Sequence, residues 1–153
     1  IAVSICSRAD GTPKDTRANI AASGELVVNL VTEELVERMN VTAAAFPPEV
    51  SEIEVAGLET LASTHVAPPR VAASPIHLEC RVLHALDLGE APRVSTLFVA
   101  QVVMWHVEER LLQDGLKVDQ AAIHAVARMG GPFYTRARDP FALTIPDWRD
   151  LMP

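Results

Sequence analysis

The sequence predicts a mainly β fold with a few helices, an antiparallel sheet of barrel-like curvature. From Ile76 onward, apolar residues recur at every second position, the period of a strand. The stretch from Val94 to Glu108 is long and apolar on both faces, Phe98, Ala100, Val102 and Met104 against Leu97, Val99, Val103 and Trp105. The second half of the chain also fails to alternate strand and helix as a doubly wound parallel sheet would.

Taken in order, Ile1 to Ser7 reads as a strand ending in the turn cluster Ala9-Asp10-Gly11-Thr12-Pro13. A short helix is expected over Thr16–Ser23, with Asp15 as its N-cap and Gly24 just past its end. Residues 25–31, Glu25 to Val31, are rich in β-branched side chains and too short for a typical helix, so they read as a buried strand. Thr32 is expected to cap a second helix, with Glu33 and Glu34 in its first turn, Leu35, Val36, Met39 and Ala43 on one side, and Pro47-Pro48 as its stop. Met39 in that stripe reads as core. A weakly amphipathic piece spans Ser51 to Ala56. A strand then places Ile76, Leu78, Cys80 and Val82 on one face and His77, Glu79 and Arg81 on the other. Gly89 to Arg93 is a turn. The strand that follows, buried on both sides, needs cover on both, one face from the sheet core and the other from a helix or a second subunit. Residues 111–116 read as a short strand entering a turn, and Phe133 to Arg136 as a final strand after Met129-Gly130-Gly131.

Composition narrows the function classes. The chain has 153 residues, 49% apolar and 22% charged, a size and apolar share that suit one domain over residues 1–153 with a real core. No apolar run approaches the ~20 residues of a membrane span. A net charge of −7 argues against nucleic acid or an acidic membrane as partner. Two cysteines, Cys6 and Cys80, without a CxxC, form neither a zinc knuckle nor a disulfide framework, and both read as packed. A cytoplasmic protein is expected. The chain opens on Ile1 in mid-strand, which leads to the expectation that residues are missing upstream.

The most informative chemistry lies at residues 8–16. A Gly- and Pro-containing turn enters a helix at Lys14-Asp15-Thr16, where free N–H groups and the helix dipole favour an anion. Lys14 adds full charge, Thr16 a hydroxyl, and Arg8 stands at the facing strand end; the alternative is an ordinary capped helix. Neither a GxxxxGK[ST] loop nor a GxGxxG fingerprint is present. His106 and Glu108 alternate onto one strand face, a spacing two metal ligands could share, but no third ligand accompanies them and no metal is expected. Tyr134 is either packed or pocket-lining.

The order of motifs resembles the flavin reductase-like, FMN-binding split-barrel family of flavoredoxin type. Ser4-Ile5-Cys6-Ser7-Arg8 followed by Lys14-Asp15-Thr16-Arg17-Ala18-Asn19-Ile20 carries most of the likeness. Gly24 to Asn29, Glu37-Arg38-Met39-Asn40, Ala56-Gly57-Leu58, Ser74-Pro75, Leu78-Glu79-Cys80 and Arg128-Met129-Gly130-Gly131 with Tyr134 continue it. The resemblance implies a six-stranded split barrel that dimerises and holds FMN without a covalent bond near the subunit interface. It implies that Lys14 and Thr16 hold the flavin phosphate, that Ser4, Ile5, Ser7 and Arg8 lie along the flavin or its ribityl chain, and that Asp15 caps the phosphate-facing helix. His106 and Tyr134 fall on the substrate side. The family carries a further stretch ahead of this point, to which nothing here corresponds. The implied activity is transfer of hydride or electrons from NADH or NADPH through FMN, with no protein acid or base needed and so no catalytic residue named. The alternatives are an electron carrier or redox sensor without enzymatic turnover, and a barrel that has lost its flavin.

Overall fold

A computed structural model describes residues 1–114 and 116–152. The fold is a mainly antiparallel, curled half-barrel with few helices. Its strands are β1 (Ala2–Cys6), β2 (Glu25–Asn29), β3 (Thr60–Leu61), β4 (Arg70–Val71), β5 (Ile76–Leu88), β6 (Ser95–Val107), β7 (Leu112–Gln113), β8 (Lys117–Val118), β9 (Val126–Gly130) and β10 (Phe133–Arg136). Three short helices, α1 (Asp15–Ser23), α2 (Val36–Val41) and α3 (Glu52–Val55), lie between the early strands. The main sheet has the order β1-β6-β5-β2, and β9 and β10 form a separate hairpin. Among the described residues the main sheet therefore has four strands rather than the six of the expected barrel.

The core sits on one face of this sheet. Ile20 of α1 packs with Leu26, Cys80, Phe98 and Ala100, and Val3, Ile5, Val28, Leu78, Val82 and Val102 surround them. The even-numbered residues of β5 supply that face from Leu78 to Val82, as the period-two pattern predicts. Cys80 is fully buried, and burial raises its thiol pKa. Cys6, expected to be packed, is exposed on the other face of β1 and accepts a hydrogen bond from Ser95 Oγ at 3.2 Å.

Other expectations need correction. On the polar face of β5, Arg81 is exposed but His77 and Glu79 are buried, because the segment from Ser63 to Val71 folds over them. Of the cover expected on both faces of β6, this chain supplies one face, and the other stays open to the second subunit that the expectation allowed. Thr96, Phe98 and Ala100 are buried, whereas Val99, Gln101 and Trp105 stand exposed. Thr32 does not cap a helix. It is buried and bridges Ala125, and the Glu33 amide donates to the His124 carbonyl, so this segment pairs with residues 124–126 and α2 starts only at Val36. Of residues 111–116, Leu112–Gln113 form β7, Leu111 ends a 3-10 turn over Glu109–Leu111, and Gly115 lies outside the described residues.

α1 ends as expected. Gly24 adopts a left-handed φ of 67°, and its amide closes on the Ile20 carbonyl at 2.8 Å. A Cβ there would meet nothing within 4 Å, so its penalty is conformational alone. Gly24→Ala is expected to lower stability by about 1 kcal/mol in chemical denaturation. A loss below the error of the melt would mean that the turn relaxes freely.

Candidate functional site

The turn after β1 is built by its own hydrogen bonds. The Arg8 amide donates to the Thr12 carbonyl at 2.8 Å and the Gly11 amide to the Arg8 carbonyl at 2.9 Å. Asp10 accepts from the Thr12 hydroxyl at 2.6 Å and the Thr12 amide at 2.9 Å, bonds that hold its carboxyl below the usual range. Gly11 has a φ of 86°, and a Cβ would come within 2.9 Å of Pro92, so only glycine lets this turn lie against the 89–93 turn.

The turn delivers the chain into α1 with Lys14 as N-cap, extended at φ −68° and ψ 153°, making no side-chain capping bond. Asp15, expected as the cap, is the first helical residue. Its carboxylate accepts instead from Arg8 Nη2 at 2.7 Å, and Arg8 also donates to the Pro13 carbonyl. Two consequences follow. The first-turn amides, which have no partner inside any helix, receive none from the cap side chain. The negative charge of Asp15 is balanced by Arg8, while Lys14 makes no ion pair among the described residues. Uncapped amides beside an unpaired ammonium are what an anion needs.

Arg8, Lys14, Asp15 and Thr16 line one cleft of about 680 Å³, walled opposite by residues 42–46, Glu52 and Arg128. That volume is in the range of small-molecule sites, about 300–1,000 Å³. An adjoining recess is lined by Val31, Leu35, Met39, Ile53, Leu58 and Val71, and shares Thr16, Thr42 and Glu52 with the cleft. Helix starts are local, and the sequence showed this one. Arg128 is a wall residue that sequence reasoning did not single out as a ligand, since only topology brings β9 opposite α1.

The remaining candidates lie elsewhere. Ser7 donates its hydroxyl to the Val94 carbonyl at 2.9 Å, closing β1 onto the start of β6. Ile5 packs against the core, so only its backbone is free to meet a ligand. Ser4 is exposed on the opposite face of β1. His106 is turned toward Glu79, its Nε2 donating to Oε1 at 2.6 Å. Glu108 pairs with Arg110 instead of joining His106, and among the described residues no group of three metal-binding side chains exists. Tyr134 lines a smaller depression with Glu33, Glu37 and Arg136.

Glu79 is the most constrained charge in the molecule. Fully buried, it accepts from the Thr64 amide at 2.7 Å, the His65 amide at 2.6 Å and the His106 ring. Burial alone would raise its pKa. The two amides and the imidazole outweigh that and bring it down to about 2. His77 donates from Nε2 to the Val71 carbonyl at 2.9 Å, leaving Nδ1 buried without a partner, and burial keeps its pKa below the ordinary value.

The curled antiparallel half-barrel, with a cleft at the start of its first helix, is a split-barrel fold. The chain belongs to the flavin reductase like domain family, whose family model matches residues 1–126. It is 38% identical over 148 residues to an uncharacterized protein of Halalkalibacterium halodurans, covering 95% of this chain and 70% of that one. The crystal structure of nitrilotriacetate monooxygenase component B from Bacillus cereus superposes with a TM-score of 0.85 at 33% identity, covering 93% of this chain and 70% of that one. Pseudomonas fluorescens 2-nitrobenzoate 2-nitroreductase follows with a TM-score of 0.80 at 29% identity, covering 95% of this chain and 69% of that one.

Proposed function

We propose that this chain binds FMN and serves as an NAD(P)H-dependent flavin reductase-like oxidoreductase. The observation that carries the reading is the start of α1, where uncapped amides, the free Lys14 ammonium and the Thr16 hydroxyl border a cleft of mononucleotide size. Such a donor set fits a phosphate monoester: the ammonium supplies charge, and the amides and hydroxyl supply directed hydrogen bonds. Two relatives, at 33% and 29% identity, are a monooxygenase component and a nitroreductase, both redox proteins by name.

In this reading the protein binds and orients. Lys14 and Thr16 hold the phosphate, and Arg8, locked to Asp15 and Pro13, keeps the 8–13 turn in the shape that presents them. Ser4 and the backbone along Ile5 to Ser7 border the rest of the flavin. When bound, the flavin ring supplies the electron-transfer chemistry, taking electrons from a nicotinamide and passing them on. His106, anchored on Glu79, stands on the substrate side. A second copy of the chain covers the exposed face of β6, where Val99 and Trp105 lack cover in this chain.

The test is gel filtration of the full-length protein with added FMN, followed by assay with NADH and NADPH. Co-eluting flavin absorbance together with nicotinamide oxidation is the expected result. Co-elution without turnover would favour an electron carrier, and protein that elutes colourless would remove the flavin reading altogether.

A further inference from the structure

We infer that Arg128 is the second cation of the phosphate site and that Tyr134 is its positioning residue, an inference that rests on the flavin reading of the cleft. Arg128 lines the same cleft as Arg8, Lys14 and Thr16, although 112 residues separate it from Thr16. Its charge is unspent. The guanidinium lies 5.7 Å from the centre of the Tyr134 ring and donates from Nη2 to the Gly131 carbonyl at 2.9 Å, and neither contact neutralises it. Tyr134 is the direct cross-strand neighbour of Arg128 in the β9–β10 hairpin, so the stack is set by strand register.

Charge balance calls for a second cation. A phosphate monoester carries roughly −1.5 to −2 at neutral pH. Arg8 is balanced by Asp15, which leaves Lys14 alone on the α1 side. Asp10 and Glu52 also line the cleft, so without Arg128 its charged groups sum to −1, and Arg128 offsets the carboxylates that would otherwise repel the ligand. Glu52 lines both the cleft and the adjoining apolar recess. The hairpin is also tied down. Glu33 binds Arg136 Nε at 2.9 Å and Arg138 Nε at 2.6 Å, and Ala125 bridges Thr32, so Arg128 is carried on an anchored arm. The site is thereby selective for the phosphorylated flavin over the dephosphorylated one.

Affinities of full-length wild type, R128Q, R128K, Y134A and Y134F for FMN and for riboflavin test this. R128Q is expected to lose about tenfold or more in FMN affinity with riboflavin affinity held within about twofold, and R128K to recover part of the loss. Y134A should follow R128Q, and Y134F, which keeps the ring, should follow the wild type. Unchanged FMN affinity in R128Q, or equal losses for both flavins, would overturn the inference. Wild type that takes up neither flavin would instead sink the flavin reading. Arg128 is then judged by titration with inorganic phosphate, followed at the amides of residues 14–17. Shifts present in wild type and lost in R128Q sustain it, and shifts equal in both or absent from both end it.

Discussion

Glu79→Ala is expected to destabilise the fold by about 3–5 kcal/mol, measured by chemical denaturation. The substitution strips the Thr64 and His65 amides and the His106 ring of their common acceptor in a site closed to water. It also removes two of the hydrogen bonds that tie the 63–71 segment to the sheet. A loss below about 1 kcal/mol would show that water replaces the carboxylate without penalty. The same group makes stability depend on acid. Its folded pKa of about 2 lies below the ordinary 4.5, so between those values the unfolded chain binds more protons than the folded one. The stabilisation is complete above pH 4.5 and is lost as pH falls toward 2, a contribution on the order of 3 kcal/mol. Glu79→Gln, which does not titrate, should flatten that acid limb.

Lys14→Ala should weaken FMN binding by about 1.5–3 kcal/mol, roughly ten- to a hundredfold, with little change in folding stability. Lys14 makes no ion pair and no capping bond in the described structure, so its removal takes nothing from the fold except charge. Raising ionic strength should narrow the gap between wild type and variant, because the lost term is electrostatic at a solvent-open cleft. Flavin affinity equal in the two proteins would remove Lys14 from the site.

Much of the architecture was legible because its signals are local. Gly24 ends α1 through its own backbone, the β-branched run at residues 25–29 makes a strand, and the period of two in β5 places Leu78, Cys80 and Val82 in the core. The position of α1 was legible for the same reason, although which residue caps it was not: Asp15 is drawn off by Arg8 from seven residues upstream. What could not be read depends on partners far along the chain. Thr32 and Glu33 carry a convincing helix-start pattern, but Ala125, Arg136 and Arg138 claim them for a bridge and a clamp. The burial of His77 and Glu79 is equally non-local, since a polar residue on a strand looks solvated until a loop arrives with amides to satisfy it. Arg128 is the corresponding case at the cleft.

The order of strands in the main sheet has a consequence for how the protein is made. Among the described residues β1 pairs with β6 alone, and the Ile1 nitrogen reaches the Ala100 carbonyl, so the earliest strand described finds its neighbour among residues 95–107. β2, β5 and their helix can begin to associate sooner, but the ladder is finished only by closing a long loop, the kind of step that slows folding. During synthesis on the ribosome the β1–β6 ladder can therefore form only once residues 95–107 have emerged, which places this pairing late in the assembly of the sheet.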